Sequence, residues 1–129
     1  MARFRELLDS SAAEGVPAHI TVLYPFLPAD AIDSQVLSDL ERLFGVVSRF
    51  NALIRTTCAA YPSLKPYGGQ HDEVIPHLTV GDRAALDDLR AAEESIRPWL
   101  PIAAHADAVT LMAEQSNGRW ATVARFTLA

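Results

Sequence analysis

The feature that most constrains this chain is a duplicated tetrapeptide. His19-Ile20-Thr21-Val22 is matched 58 residues later by His77-Leu78-Thr79-Val80. Alternating apolar and polar character predicts strands over Ala18–Tyr24 and Glu73–Gly81, and both lead toward a predicted helix. Residues i and i+2 of a strand share a face. Each copy therefore places one imidazole and one hydroxyl on one side, with Ile20/Val22 or Leu78/Val80 on the other. The aliphatic pairs are expected to pack beneath helices, and the His-Thr pairs to face a groove. A single His-x-Thr on a strand is ordinarily structural; the duplication carries the functional reading.

The rest of the chain reads as alternating elements. A helix is expected over Met1–Leu8. A second, capped by Asp33 or Ser34, runs to about Val47 with Val36, Leu37, Leu40, Leu43 and Phe44 at helical spacing. Strands are expected over Phe50–Cys58, Pro101–Met112 and Arg119–Leu128, with Asn117-Gly118 as a two-residue hairpin signal. Pro62, Pro66, Gly68, Gly69 and Pro76 make Ala59–Pro76 mostly loop. Asp82 is positioned to cap a helix through Leu86, Leu89 and Ile96 that ends before Pro98. The strand-helix-strand order occurs twice, which points to an α/β or α+β domain with internal symmetry.

Composition narrows the partners. Length allows one domain over residues 1–129, built as two small lobes. Half the residues are apolar and 21% are charged, which excludes a disordered chain. Sixteen acids against eleven bases, a net charge of -5, argue against gripping long nucleic acid through phosphates. A small nucleotide or one RNA end remains compatible. The lone Cys58 precludes an internal disulfide and fits a reducing compartment. No leader or spanning segment is read: the longest stretch without a charged residue, Gly15–Ala29, holds Pro17, Pro25 and Pro28. A cytoplasmic protein with no membrane partner is expected. Abundant alanine, and arginine strongly preferred over the single Lys65, suggest a bacterial GC-rich genome.

The chemistry of two His-x-Thr pairs is acid–base work on a phosphodiester. One imidazole takes a proton while the other donates one, and threonine hydroxyls hold phosphate oxygens. The scheme requires no cofactor and no metal. Among other residues, Tyr67 has the best case for stacking on a base, because Gly68 and Gly69 let its loop approach a ligand. Tyr24 and Trp120 are weaker aromatic candidates, and Arg55, Arg119 and Arg125 weaker phosphate ligands. His71, beside Asp72 and Glu73, matches no strong metal-ligand spacing. His105 reads as structural or solvent-facing, and Cys58 as a small buried apolar residue.

The segments Pro17-Ala-His-Ile-Thr-Val-Leu-Tyr-Pro-Phe26 and Asp72-Glu-Val-Ile-Pro-His-Leu-Thr-Val80 resemble the two signature segments of the 2H phosphoesterase superfamily, also called the 2'-5' RNA ligase family. Gly15-Val16, Pro66-Tyr67-Gly68-Gly69 and the closing stretch Trp120–Leu128 are similar to its small bacterial members. The resemblance implies an α+β fold of two pseudo-twofold lobes, residues 1–58 and 74–129, with antiparallel sheets and helices packed outside. It implies His19 and His77 as the catalytic pair and Thr21 and Thr79 as the phosphate-binding hydroxyls. It implies a metal-independent activity on 2',3'-cyclic phosphates, RNA 3' ends or 2'-5' RNA linkages, with hydrolysis and ligation both open.

Against that pattern the chain is short. A strand before the opening helix and elements between Cys58 and Pro66 are missing, which leaves sheet edges open and predicts a homodimer. Two other classes stay in view: a non-catalytic module that binds a nucleotide or phosphate in the same groove, and a purely structural oligomerising domain.

Overall fold

The structure, a computed structural model, describes residues 2–129. It is an α+β arrangement of five helices and one two-stranded antiparallel sheet. The helices are α1 (Ala2–Leu8), α2 (Ser10–Ala13), α3 (Ser34–Phe44), α4 (Phe50–Ala60) and α5 (Leu86–Ile96). The strands are β1 (Ala108–Glu114) and β2 (Trp120–Thr127). Met1, at the head of the first expected helix, lies outside the described residues.

Helix α3 begins where its sequence predicts, because the Asp33 carboxylate accepts from the Val36 N–H at 2.9 Å and satisfies an otherwise orphaned donor. Its apolar stripe buries Leu40 and Phe44. Those side chains meet Val47, Leu53 and Phe126, and this cluster is the centre of the core. Phe44 and Phe126 lie 5.6 Å apart, centroid to centroid, in a tilted pair.

Residues 50–60 form helix α4, not the expected strand. The β-branched Ile54, Thr56 and Thr57 favour a strand locally. Burial of Leu53 and Thr57, four residues apart, follows the helical period instead. The Thr57 hydroxyl is satisfied within the helix by donating to the Leu53 carbonyl at 2.8 Å.

The hairpin forms, but its turn is longer than two residues. Gly118 N–H donates to the Gln115 carbonyl at 2.9 Å, and Gln115 N–H to the Arg119 carbonyl at 2.7 Å. Gly118 has φ +77, the left-handed conformation that closes this kind of three-residue loop. The register shifts after Leu111↔Ala124 to Met112↔Thr122, so Val123 is an extra, bulged residue on β2. The strand expected from Pro101 begins only at Ala108; residues 100–107 are irregular and exposed. Pairing ends just beyond β2, where the Leu128 N–H donates to the Asp107 carbonyl at 2.9 Å.

Helix α5 starts at Leu86, four residues after the expected Asp82 cap. Arg83 sits at φ +60, a left-handed residue that a right-handed helix cannot include. Asp82 instead donates its N–H to the Leu8 carbonyl at 2.7 Å and forms a parallel bridge with Asp9. Helix α1 thereby lies against α5. Between them sits Gly81, where an added Cβ would come 2.7 Å from Leu89 Cδ2 and 3.0 Å from Leu8 Cβ. Helix α3 meanwhile packs on β2, so elements from each half of the sequence meet elements from the other. No helix among the described residues is long and apolar enough to cross a membrane.

Candidate active site

The two His-x-Thr segments are not full strands. Each makes one isolated bridge, and the bridge is to the other: Ile20 pairs antiparallel with Leu78. Pro17, Pro25 and Pro76 supply no N–H for a ladder, and pairing between the two segments stops at that bridge. Antiparallel neighbours run in opposite directions, so a ladder through this bridge would set His19 opposite Thr79 and Thr21 opposite His77. The pairing is confined to that one residue pair, and no ladder continues through His19, Thr21, His77 or Thr79.

The two histidines are held identically. His19 Nδ1 lies 2.8 Å from the Pro17 carbonyl oxygen, and His77 Nδ1 lies 2.7 Å from the Ile75 carbonyl oxygen. A carbonyl can only accept, so Nδ1 carries the hydrogen in both rings. That leaves Nε2 of each neutral ring as a lone-pair acceptor, and of each charged ring as a donor. Both imidazoles are exposed, whereas Thr21 and Thr79 are half-buried. The opposite side of the bridge is less covered than the alternation predicts. Val22 packs on the core, but Ile20 and Leu78 remain 38% and 39% exposed.

Aromatic rings continue from the first motif. Tyr24, three residues beyond Thr21, has Tyr67 at 6.4 Å and Trp120 at 6.0 Å between centroids, and His71 lies edge-on to Tyr67 at 5.9 Å. Tyr67 is held at φ +51, a conformation bulky side chains rarely adopt, and its N–H donates to the Tyr24 carbonyl at 2.6 Å. Strain of this kind costs roughly 1–3 kcal/mol and concentrates where a side chain must be presented to a ligand. Tyr67→Ala should therefore raise KM or Kd for a nucleotide by about tenfold, in line with the ~1–3 kcal/mol of a base–aromatic stack. An unchanged KM and Kd would remove Tyr67 from the site.

Other candidates are placed elsewhere. Arg119 donates to the Ala13 carbonyl at 3.0 Å, Arg125 pairs with Asp107 at 3.0 Å, and Arg55 lies exposed on α4. Cys58 is half-buried, and burial pushes its thiol up, away from reactivity. His105 is exposed. Among the described residues, no three His, Cys, Asp or Glu side chains converge to hold a metal ion.

One set of residues near the site escapes sequence reasoning. Arg5 and Asp9 form a buried ion pair, with Nη2 and Nε of Arg5 donating to Asp9 Oδ2 at 2.6 and 2.9 Å. Arg5 also reaches the Val16 carbonyl at 3.4 Å, so the pair anchors the connector that enters the first motif. The only sequence trace is the i,i+4 spacing, which ordinarily marks an exposed helical pair. Neither a family model nor a curated protein matches this chain.

Proposed function

We propose that this chain is a metal-independent phosphoesterase acting on a cyclic phosphodiester, a 2',3'-cyclic nucleotide or RNA end, in the manner of the 2H phosphoesterases it resembles. The supporting observation is the antiparallel Ile20–Leu78 bridge, which brings the two His-x-Thr segments side by side. In this reading the four side chains surround one phosphate, and the bilobed groove of that superfamily is the arrangement they belong to. One imidazole accepts a proton at Nε2 from the attacking water. The phosphorus–oxygen bond to the ribose breaks, and the other imidazole gives its Nε2 proton to the departing ribose oxygen. The threonine hydroxyls donate to the non-bridging oxygens as charge accumulates there. Nδ1–H donation to Pro17 and Ile75 keeps each Nε2 aimed outward through the cycle.

A second reading is favoured by the exposure of both imidazoles. A site open to water suits a module that binds a nucleotide or phosphate without turning it over. Turnover and binding of 2',3'-cyclic nucleotides, measured in parallel, separate the two. Chelator-insensitive product formation with a bell-shaped pH profile supports the enzyme. Saturable binding without product supports the module. Neither binding nor product rejects both, leaving a structural oligomerising domain.

A further inference from the structure

The segment that carries the first motif is fastened to the hairpin at its entrance. The Trp120 N–H donates to the Glu14 carbonyl at 2.8 Å, and Arg119 Nη1 donates to the Ala13 carbonyl at 3.0 Å. The two backbones approach closely: a Cβ added to Gly15 would come 3.2 Å from the Trp120 carbonyl oxygen. Beyond the motif, the Trp120 ring stands edge-on to Tyr24 at 6.0 Å between centroids, an ordinary spacing for a T-shaped pair. One residue of β2 thus touches both ends of residues 14–24, the stretch that holds His19 and Thr21.

The fastened connector leads to the carbonyl that orients the imidazole. Pro17, two residues after Gly15, supplies the oxygen that accepts from His19 Nδ1. Which ring nitrogen carries the hydrogen is set by the bond the other nitrogen's partner allows, so a displaced Pro17 carbonyl frees the ring to change tautomer. The second motif is approached differently. Among the described residues, the sole hydrogen bond to residues 71–76 is the one that His77 itself gives to Ile75. The two imidazoles share a local geometry but not its support.

We infer that Arg119 and Trp120 are positioning residues for His19: they clamp residues 14–24 and, through the Pro17 carbonyl, keep the hydrogen on His19 Nδ1 and leave Nε2 free. Trp120 is then a support for the first motif, not a platform for a base. The effect on the ring requires no turnover; its consequence for rate rests on the phosphoesterase reading.

NMR of the histidine ring nitrogens tests the clamp, in mildly alkaline buffer where ordinary imidazoles are neutral. In the unaltered chain both His19 and His77 are expected mainly in the Nδ1–H form. Trp120→Leu and Arg119→Ala should each move His19 toward the Nε2–H form and leave His77 as it is. The Arg119 side chain is exposed, so its replacement leaves the core intact and decides the matter even where Trp120→Leu fails to fold. Arg119→Lys, which keeps a donor for Ala13, should retain the His19 signature of the unaltered chain. With a 2',3'-cyclic nucleotide, the two disruptive variants should lose kcat, by up to about 10²-fold, at unchanged Kd. A Trp120→Leu variant that binds nucleotide more weakly with both rings unaltered would make Trp120 a stacking residue and overturn the assignment. So would a His19 signature indifferent to both substitutions, or one that moves only together with His77. A chain that turns over no cyclic nucleotide while His19 alone shifts would reject the phosphoesterase and leave the clamp standing.

Discussion

Replacing His19 or His77 by alanine is expected to lower turnover of a 2',3'-cyclic nucleotide by about 10²–10⁴-fold, the usual contribution of a positioned acid or base. Both rings are exposed, and each is tied only to a carbonyl two residues away. Neither substitution should shift the melting midpoint measurably, as expected for surface positions outside the core. The loss would thus report chemistry. The pH profile of kcat/KM then assigns the roles. The variant lacking the base loses the acidic limb of the bell, because the group that had to be deprotonated is gone; the variant lacking the acid loses the alkaline limb. The double variant should be little worse than either single one, since the two imidazoles act on one step. Wild-type turnover in either single variant would reject the mechanism. Thr21→Val and Thr79→Val should cause smaller losses, confined to kcat if the hydroxyls strengthen their bonds as charge develops.

What the sequence made legible, and what it did not, divides along the range of the interaction. Helix α3 is local: Asp33 caps it, and Val36, Leu37, Leu40, Leu43 and Phe44 drive it onto the core. The hairpin at Asn117-Gly118 is local too, and only its loop length differs. Helix α5 is legible over Leu86–Ile96, while its start depends on the backbone of Arg83. Strands are different. Alternation along Ala18–Tyr24 or Glu73–Gly81 says which side chains share a face, but a strand exists only where another backbone takes its hydrogen bonds. Between those segments one residue pair forms, so the expected strands contract to the Ile20–Leu78 bridge. Residues 50–60 show the converse failure. A strand is expected over Phe50–Cys58, yet the four-residue spacing of Leu53 and Thr57 buries both on one side of a helix. Alternation predicts His19 beside Thr21 and His77 beside Thr79. Which copy faces which is a matter of register, and register lies in the pairing rather than in either segment.

The buried pair between α1 and the first motif offers the largest expected effect on stability. Asp9→Ala should destabilise the fold by about 3–5 kcal/mol, because it leaves the Arg5 guanidinium buried and without its carboxylate. A domain of this size is ordinarily stable by only ~5–15 kcal/mol. The denaturation midpoint of the variant should therefore fall far below that of the parent. Replacing both members, Arg5→Met with Asp9→Leu, should recover much of the loss, since no charge is then stranded. A full double-mutant cycle isolates the coupling.

The pH dependence has a definite sign. Burial pushes the Asp9 carboxyl upward, but the Ser11 hydroxyl, the Arg5 hydrogen bonds, the Ser11 N–H and the Arg5 charge together outweigh it and hold the group below its ordinary 3.8. A carboxyl depressed in the folded state stabilises above its unfolded value and loses that contribution as pH falls through the folded one. The stability gap between the parent and Asp9→Asn should thus be widest near neutral pH and close in acid, below the ordinary carboxylate range. The same variant loosens the tie from Arg5 to the Val16 carbonyl, three residues before His19. Where it is still folded, it should show a lower kcat at unchanged Tyr67-dependent nucleotide binding. A gap that persists undiminished into strong acid would mean that the carboxylate is not what holds α1 and the motif connector together.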